Sequence, residues 1–556
     1  MVFGGSSALA TVAASVFFKT GNLVVSRSVY DNNSKNISIG EQLPPECMSA
    51  CGAATADGTY PQVFNNDLVD ASFGLTSQIF LDQLNPISGA LLDSLQVPSN
   101  ANNPYSFPYF PDHAVTSFSS KSELALNLST DQHVLTFMGY VAPIDSVDVS
   151  NSNTPAVVDP TNPVSSKFYR AVMEVDAYGN FHFTETNAYS GNNGRAAILS
   201  DAASAYYTAG NAGNGSNPQP VGVILGGGAQ YIAPEFYPED SQNPGTPEPL
   251  GSFNITQLPA NTTTDKIGKD TNFRGLTIFN NVVYYTKGSG GNGINTVYFI
   301  DTTGKACPGT GVGLPRPGAS LPNAPIAYNA GLLQTDGVTP YNMCILNGFN
   351  TVLASTTTNV FPFGIWFANA NTLYVADEGD GYAGGLDLDT HAAAQTTAGL
   401  QKWVFNGTEW THVYTLENGL GLGIPYTVTG YPTGLNLATC IVPKGTPKAQ
   451  NPNNCPTSKT LSAMNSAPDG LPWAPATDGL RNITGRNNLD GTVTIYGITS
   501  TISGGGDQGA DPNKLVAITD NIAATTLPTS ESFHTVRSAG FAEVLRGVSW
   551  APEVFY

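Results

Sequence analysis

The sequence predicts an all-β protein, specifically a six-bladed β-propeller closed into a ring by its own two ends. Three observations predict this class. The composition is typical of short strands joined by polar loops, one hairpin-sized phrase recurs along the chain, and each end of the chain carries one half of that phrase. We expect long, disulfide-stapled loops to be inserted between the strands.

The composition indicates strands rather than helices. Only 12% of the 556 residues are charged, whereas 59 are glycine and 39 are proline. Turn-forming residues at this density are typical of many short strands, and the chain lacks the Ala, Glu, Lys and Leu richness of helical proteins. A chain of this length exceeds one ordinary core unless the core repeats, so a repeat architecture is favoured.

The repeated phrase is illustrated by RGLTIFNNVVYYTKGSGGNG, which begins at Arg274. Related phrases begin at Arg195, Phe363 and Arg481, and a fifth, without the arginine, begins at Leu124. Each of the four phrases with Arg or Phe in first place reaches a tyrosine after 12, 11, 11 and 15 residues in chain order: Tyr207, Tyr285, Tyr374 and Tyr496. A hairpin of fixed size explains this spacing, and the strand-like segments after each hairpin complete four-stranded propeller blades.

The two ends of the chain predict how the ring closes. The phrase LRGVSWAP at Leu545 is a first half without a second, and TGNLVVSRS at Thr20 is a second half without a first. Joined, they make one hairpin, and a blade shared between the termini protects the edge strands of a propeller. Counting this shared hairpin gives six blades, and one degenerate unit in the long intervening stretches would make seven.

The chain is predicted to form one domain with elaborate loops. We expect residues 1–15 to be an N-terminal segment, either the remnant of a signal peptide or the mature start, and residues 16–556 to form a single propeller. Loop insertions are expected at about residues 99–120, 235–272, 305–360 and 419–480.

The cysteines and glycosylation motifs predict a secreted, extracellular glycoprotein. Six cysteines occur without CxxC pairs or clustered histidines, which favours three disulfides over a zinc site; by proximity the couples are Cys47 with Cys51, Cys307 with Cys344, and Cys440 with Cys455. Eight Asn-x-Ser/Thr motifs are candidate glycosylation sites: Asn32, Asn36, Asn127, Asn214, Asn254, Asn261, Asn406 and Asn482. No uninterrupted apolar run reaches about 18 residues, so no membrane span is expected.

The charge of the protein argues against nucleic acid as a partner. The net charge is −20 and the isoelectric point is near 4.5. Phosphate binding requires a basic surface, which this chain lacks. The acidic excess is spread thinly along the sequence, as in the solvated surface of a soluble protein.

The repeated arginines are the first candidate ligand-binding residues. In a blade, the first strand begins and the second strand ends on the same face of the ring, so Arg195, Arg274, Arg481 and Arg546 should share one face, with Arg27 expected near them. Guanidinium groups there could bind carboxylate, sulfate or phosphate. The alternative is structural, with each arginine tying its blade to a neighbour through backbone carbonyls or an aspartate.

The phrase at Phe363 lacks the arginine and carries acidic residues instead. Asp377, Glu378 and Asp380, with His113 from an inserted loop, are weak candidates for catalytic residues on a glycan. Asp377 and Asp380 are also weak candidates for binding Ca²⁺, although their spacing departs from the EF-hand pattern. A solvated acidic loop, or partners for the arginines, is the alternative. No other cofactor is predicted.

The insertion at residues 99–120 contains the aromatic run YSFPYFPDH. Tyr105 and Tyr109 in this run are candidate ligand-binding residues, because aromatic rings stack on the apolar faces of sugars. The alternative is that these rings pack the loop onto the ring of blades.

Six phrases between Phe18 and Pro552 are distinctive as a set: GNLVVSR, LTFMGY, YSGNNGR, LYVADEG, GLQKW and LRGVSWAP. Through these phrases the sequence resembles a set of secreted, mostly bacterial, uncharacterised β-propeller repeat proteins. The resemblance implies the propeller fold and secretion, and it implies no activity.

Two classes of function follow from these residues. The first is a secreted propeller that binds or scaffolds a glycan or another surface polymer through the face rich in arginine and aromatic residues. The second is a polysaccharide lyase or hydrolase that uses the same face, although HExxH, GxSxG and Walker motifs are absent from the sequence. A structural surface protein that self-associates is a further alternative.

Overall fold

The computed structural model describes residues 15–31, 33–38, 40–47, 51–54, 70, 73–98, 113–117, 122–155, 164–165, 167–211, 228–234, 251–253, 255, 272–288, 293–307, 310–322, 342–355, 360–382, 388–430, 475–503 and 509–554. This part of the chain is almost entirely β-structure, as predicted. One short helix, α1 (Leu388–Ala393), and two 3-10 turns at Ser34–Asn36 and Val149–Asn151 are the exceptions within it.

The first sheet has nine strands. They are β1 (Leu23–Val29), β4 (Thr76–Leu84), β5 (Leu91–Gln96), β6 (His113–Ser117), β7 (Asn127–Leu128), β8 (Val134–Ala142), β9 (Tyr169–Asp176), β10 (Phe181–Thr186) and β28 (Glu543–Trp550). The path runs β10-β9-β8-β6-β4-β1-β28, while β5 pairs with β4 and β7 pairs with β8. A small separate sheet consists of β2 (Gln42–Leu43) and β3 (Gly52–Ala53).

Four further sheets stand apart as blades of four or five strands. The first two consist of β11 (Gly194–Ser200), β12 (Ala205–Gly210), β13 (Ala229–Ile232) and β14 (Gly251–Phe253), and of β15 (Leu276–Phe279), β16 (Val282–Lys287), β17 (Thr296–Asp301), β18 (Val312–Gly313) and β19 (Asn342–Leu346). The other two consist of β20 (Pro362–Asn369), β21 (Thr372–Asp377), β22 (Gly399–Phe405) and β23 (Trp410–Leu416), and of β24 (Ala476–Asn487), β25 (Thr492–Ile502), β26 (Lys514–Asn521) and β27 (His534–Ser538).

The arrangement is that of a β-propeller, but the count of separate blades differs from the prediction. Four blades are separate sheets in the described part of the chain, where the sequence predicted six. The difference arises at β6, which pairs with the start of β4 through Thr76 and Ser77 and with the end of β8 through Val141 and Ala142. These bonds join the strands around β4 and those around β8 into the nine-stranded sheet.

Each predicted hairpin is present. The phrase at Arg274, for example, forms β15 and β16 around Asn280 and Asn281, which both have positive φ. A two-residue turn with two positive φ angles matches the right-handed twist of the strands, and asparagine tolerates that conformation. The second strand of the hairpin is buried along its whole length, because neighbouring sheets pack against both of its faces.

The chain ends close the ring as the sequence predicts. Strand β1 pairs antiparallel with β28, from Leu23 opposite Trp550 to Val29 opposite Glu543. The other edge of β1 pairs with β4, so β1 has no open edge along the paired residues. The first strands of the hairpins also contact one another in the cyclic order β28, β7, β11, β15, β20, β24 and back to β28.

A close backbone approach explains why glycine follows Arg274 and Arg546, whereas alanine and asparagine follow Arg195 and Arg481. A Cβ on Gly275 would lie 2.3 Å from the carbonyl oxygen of Phe363 in the next sheet, and a Cβ on Gly547 would lie 2.3 Å from that of Leu124. The hydroxyl of Thr286 accepts from the Gly275 N–H and donates to the same Phe363 oxygen. Any side chain at these positions would push the inner strands apart.

Two of the three predicted disulfides are present, Cys47–Cys51 and Cys307–Cys344. Cys440 and Cys455 lie outside the described residues. Much of the predicted insertions at 99–120, 235–272, 305–360 and 419–480 also lies outside them. Within the described ranges, no helix combines the length and the apolar character needed to cross a membrane.

We predict that Leu545→Ala lowers the free energy of unfolding by about 2–5 kcal/mol, because truncating a buried leucine leaves a cavity. Leu545 lies in β28 at the seam of the ring and belongs to a buried cluster with Leu23 of β1 and Tyr496 of β25. Urea denaturation measures the change. The control is Leu489→Ala, a fully exposed position where a change within about 0.5 kcal/mol is expected. Equal effects of the two substitutions would contradict the packing of the seam.

Candidate functional site

The four repeated arginines lie in or close to inner strands. Arg195 and Arg546 lie in β11 and β28, Arg481 lies in β24, and Arg274 lies two residues before β15. Arg195, Arg481 and Arg546 are each 3% exposed, and Arg274 is partly buried. The propeller therefore brings together residues that are up to 351 positions apart in the sequence.

Successive guanidinium groups lie within electrostatic range of one another. Burial, and after it the charge of Arg274, holds the pKa of Arg195 well below the ordinary arginine value. Burial also lowers the pKa of Arg274; Glu378 opposes this change and Arg481 adds to it. The charged form of each arginine is thus destabilised in the protein, and a nearby anion would offset that cost.

The hydrogen bonds of Arg195 and Arg274 leave part of each guanidinium without an acceptor. Nη1 of Arg195 donates to the carbonyl oxygen of Phe273, at 2.8 Å, and to the side chain of Asn272. Nη1 of Arg274 donates to the Ser122 hydroxyl at 2.9 Å. The Nε atoms of both arginines are buried and have no hydrogen-bond acceptor among the described residues. Buried N–H groups without a protein acceptor are uncommon, and a water molecule or a ligand can supply the acceptor.

The Arg274 bond links segments whose inner strands are not neighbours in the ring. Ser122 precedes β7, and the inner strand β11 separates β7 from β15 in the cyclic order. The Arg274 side chain therefore reaches beyond its neighbouring sheet, whereas Arg195 contacts the segment just before the next inner strand, β15. The Arg274 contact thus spans an intervening inner strand, and the Arg195 contact fits the predicted structural tie between blades.

One carboxylate, Glu378, faces these arginines. It lies just after β21, is 8% exposed, and its Oε2 is 3.3 Å from Nε of Arg481. Its charge also raises the pKa of both Arg274 and Arg195. We call these four residues, Arg195, Arg274, Arg481 and Glu378, the arginine cluster. The cluster thus contains three arginines and one carboxylate, and the charge of Glu123 also raises the pKa of Arg195.

A second buried carboxylate, Glu123, was not predicted. It accepts hydrogen bonds from the Thr116 hydroxyl, the Ser117 N–H and the Tyr140 hydroxyl, at 2.6, 2.9 and 2.6 Å. Burial raises its pKa, and Arg546 is among the groups that oppose this change. The signal that could have found it is its position, one residue before Leu124 in the phrase that lacks the arginine.

Arg27 is held away from the cluster by its own ion pairs. Its Nε lies 2.7 Å from Oδ2 of Asp82, and its Nη1 lies 2.8 Å from Oε1 of Glu543. Arg546 donates from Nε to the Ser28 hydroxyl at 3.3 Å. Arg27 therefore ties β1 to β4 and β28. The expectation that it lies with the other arginines gains no support from these contacts.

Asp377 acts as a structural acceptor. Its carboxylate accepts from the Phe361 N–H at 2.8 Å, the Gly379 N–H at 3.0 Å and Nε2 of Gln401 at 3.2 Å. Burial raises its pKa to about 8, against the lowering effect of the two backbone donors. All of these contacts shape the loop after β21, so its carboxylate is committed to the fold rather than to a substrate.

Asp380 has a separate partner. Its Oδ2 is 2.6 Å from Nε2 of His391, whose ring stacks on that of Tyr382 with centroids 4.1 Å apart. Asp377 and Asp380 belong to no group of three His, Cys, Asp or Glu ligands in the described ranges. The only such group there is Asp301, Cys307 and Cys344, whose two cysteines form a disulfide. Ca²⁺ binding by Asp377 and Asp380 thus gains no support.

Other predicted residues are only partly described. Tyr105 and Tyr109 lie outside the described residues, and of His113 only the backbone, in β6, is described. Asn32, Asn214, Asn254 and Asn261 lie outside as well. Asn406 is exposed, whereas Asn36 and Asn127 are partly buried.

The assignment of Asn482 as a glycosylation site is corrected. Its side chain is 7% exposed, and its Oδ1 accepts from the Val548 N–H at 2.7 Å. That bond joins β24 to β28, and a glycan would need the nitrogen of the same buried amide.

A cavity of about 540 Å³ lies elsewhere and is lined by Thr303, Lys305, Arg316 and Pro317. It contains none of the residues that the sequence singled out. Its two cations are the kind of groups that attract anions, but Nε of Arg316 is already bonded to the Lys305 carbonyl. The arginine cluster is therefore the better candidate site.

No protein-family model and no curated protein matches the chain. Among solved structures, the chain is similar to apo AztD from Citrobacter koseri, at 10% sequence identity and a TM-score of 0.27. The similarity covers 86% of this chain and 99% of that chain. At this TM-score the similarity does not bear on the site or its function.

The raised pKa of Asp377 predicts a pH dependence of stability. The folded-state pKa is about 8, above the ordinary 3.8, so the folded protein binds this proton more tightly than the unfolded chain does. Its stabilising effect is complete below about pH 4 and is lost as the pH rises through about 8. Asp377→Asn cannot titrate, so between about pH 5 and pH 9 its urea midpoint should fall less than that of the wild type.

The control for this experiment is Asp490→Asn. Asp490 is an exposed turn residue whose pKa is lowered by hydrogen bonds to Thr492, so it titrates below the tested range. This variant should retain the wild-type pH dependence. If the urea midpoints of the wild type and of Asp377→Asn change in parallel with pH, the raised pKa of Asp377 is contradicted.

Proposed function

We propose that this protein is a secreted β-propeller that binds an anionic glycan or another anionic surface polymer through the arginine cluster. The observation that carries the proposal is the pair of buried Nε atoms, in Arg195 and Arg274, that have no acceptor among the described residues. Both belong to neighbouring guanidinium groups whose charged forms are destabilised by burial. A ligand carboxylate or sulfate would supply the acceptor and the compensating charge together.

The chemistry of arginine favours an oxyanion as the recognised group. The planar guanidinium presents N–H donors in a fixed fork that matches carboxylate, sulfate and phosphate oxygens. Such charge-assisted bonds are stronger than neutral ones, and more so where water is excluded. Glycans of extracellular polymers carry carboxylates and sulfates, and the two disulfides are compatible with that oxidising compartment.

We also infer that the ring has six blades. If so, the nine-stranded sheet consists of two blades that β6 joins. Their strands are β28-β1-β4-β5 and β7-β8-β9-β10. The support comes from the cyclic contacts of the inner strands, which pass through β28 and β7 as well as through the four separate sheets. Six inner strands in one closed cycle leave no place for a seventh among the described strands.

The described carboxylates do not favour a lyase or a hydrolase at this face. General acid–base catalysis needs a carboxyl group free to contact substrate. Asp377 is occupied by three N–H donors and Glu378 is paired with Arg481. Self-association of the chain stays a prediction.

We predict that Arg274→Ala weakens binding of an anionic oligosaccharide by roughly tenfold to a hundredfold, the effect of losing one or two charge-assisted hydrogen bonds. Isothermal titration would compare an oligogalacturonate, a sulfated heparin-derived oligosaccharide and an uncharged cello-oligosaccharide. The matched control is Arg486→Ala, because Arg486 lies in the same strand as Arg481 and is exposed. The proposal is wrong if neither anionic probe binds, or if both variants lose affinity equally.

A second variant tests the role of charge in the cluster. Glu378→Gln removes the anion that faces three guanidinium groups while it keeps the size of the side chain. Binding of the same anionic probe should tighten severalfold, because the internal competitor for the arginines is gone, and the gain should shrink as salt is added. Unchanged affinity at low salt, with an unchanged melting temperature, would contradict this role of Glu378.

A further inference from the structure

A buried ionic group lies between the sheet of β20 to β23 and the sheet of β24 to β27, apart from the arginine cluster. Nζ of Lys402, in β22, is 2.9 Å from Oδ2 of Asp520, in β26. Both side chains are completely shielded from solvent. The two residues are 118 positions apart, so any bond between them would link neighbouring blades.

Two tyrosines direct their hydroxyl groups at the same aspartate. Tyr374 of β21 and Tyr414 of β23 lie directly opposite Lys402 on either side of β22, so the three form one row across the sheet. The Tyr374 hydroxyl donates to Oδ2 of Asp520, and the Tyr414 hydroxyl donates to Oδ1 at 2.6 Å. The Tyr414 ring also lies 5.0 Å from the Lys402 Nζ.

The surroundings of Lys402 contain more acceptors than an ammonium group can serve. Besides Asp520, the Tyr414 hydroxyl at 2.9 Å and the carbonyl oxygens of Asn521 at 2.6 Å and Ala524 at 3.1 Å surround its Nζ. An ammonium group has three N–H bonds for these four atoms. The amine is therefore held in one place with its Asp520 neighbour fixed beside it.

A second carboxyl group is coupled to this pair. Glu531 accepts from the Asn521 N–H at 3.2 Å, and burial, followed by the effect of the nearby Asp520 carboxylate, raises its pKa to about 7. Unlike Lys402 and Asp520, Glu531 is partly exposed to solvent. Glu531 is therefore the partly exposed member of this group of side chains.

The energy of complete burial opposes the charged state of the pair. Removing an ammonium and a carboxylate from water costs several kcal/mol for each ion, and their attraction does not always compensate. Amide formation between these side chains requires the amine form of Lys402 and the acid form of Asp520, and one proton transfer within the pair supplies both. A neutral amine held against a carboxylic acid is the arrangement from which an amide forms.

We propose that Lys402 and Asp520 condense to form an intramolecular isopeptide bond. After the proton transfer, the amine nitrogen of Lys402 attacks Cγ of Asp520, and a tetrahedral intermediate forms. One C–O bond then breaks, one C–N bond remains, and the two hydrogens and the oxygen leave as one molecule of water. No oxidant, reductant or further reactant is consumed.

The neighbouring groups have defined roles in this step. The Tyr374 and Tyr414 hydroxyls donate to the two carboxyl oxygens, so one stabilises the oxygen on which negative charge develops and the other contacts the oxygen that leaves as water. Glu531 carries the proton from the attacking nitrogen to the departing oxygen. The Asn521 carbonyl oxygen, the nearest acceptor of Nζ, remains placed to accept from the N–H of the new amide.

The bond would fasten two adjacent blades near their outer strands. Ring closure by β1 and β28 is reversible, because it consists of hydrogen bonds and packing. A covalent link between β22 and β26 would keep two blades joined when those contacts open. This property is independent of the proposed binding of anions.

The test is the mass of the folded full-length protein, produced in a bacterial host without N-glycosylation and reduced to open its disulfides. We expect a mass lower than that of the sequence by one water molecule. We also expect trypsin to leave the bond after Lys402 uncut and to release one branched peptide that joins the segments around Lys402 and Asp520. A full sequence mass with cleavage after Lys402 would overturn the proposal.

Variants identify the source of any lost water. Lys402→Met should restore the full sequence mass, and Lys514→Met, which replaces a partly buried lysine beside Tyr426, should keep the loss. Glu531→Gln should leave a large fraction of the chains uncondensed. If Lys402→Met still lacks one water molecule, the water was lost at another site, for example through a succinimide at Asp490–Gly491. That result would also overturn the proposal.

Discussion

The close approach of neighbouring inner strands is the constraint on which the rest of this structure depends. A side chain on Gly275, Gly364 or Gly547 would collide with a carbonyl oxygen in or beside the next inner strand, at 2.3 to 2.4 Å from its Cβ. One of the residues that precede these glycines, Arg274, belongs to the arginine cluster. The closed cycle of inner strands brings Arg274 within electrostatic range of Arg195 and Arg481 and so concentrates positive charge.

That concentration of charge is only partly neutralised within the protein. Arg481 is paired with Glu378, and Arg195 is partly satisfied by the Phe273 carbonyl. The remaining donors, above all the Nε atoms of Arg195 and Arg274, have no acceptor among the described residues. A protein with a net charge of −20 would repel anions from most of its surface, so a positive site must be local and shielded to attract them. The ring supplies both conditions.

The parts of the fold that repeat were predictable, because a repeat displays its spacing in the sequence. The six hairpins and the pairing of the chain ends through Leu23 and Trp550 agree with the prediction. Strand β6 was not predicted, since it lies in an aromatic insertion without the repeated pattern, and its bonds to β4 and β8 fuse sheets that would otherwise be separate. Long-range pairing of this kind leaves no local signal.

The candidate site was predictable in its arginines but not in its carboxylates. Sequence position placed Arg195, Arg274 and Arg481 on one face, because equivalent positions of a repeat fall in equivalent places. The acidic composition of the loop after β21 suggested that Asp377 and Asp380 act together, yet the fold assigns them to backbone amides and to His391. Of the acidic residues in that loop, only Glu378 contacts an arginine of the cluster. The sequence shows which side chains a loop carries but not the direction in which each one points.

The most direct measurement of the central claim is the NMR signal of each arginine Nε–H group, in protein with ¹⁵N-labelled arginine, before and after addition of an oligogalacturonate. The signals of Arg195 and Arg274 should move strongly, because their Nε–H groups gain an acceptor. Those of Arg27 and Arg170 should stay in place, because Asp82 and the Asn192 carbonyl already occupy them. The titration should be repeated with a sulfated oligosaccharide. If neither probe moves the signals of Arg195 and Arg274, anion binding by the arginine cluster is contradicted.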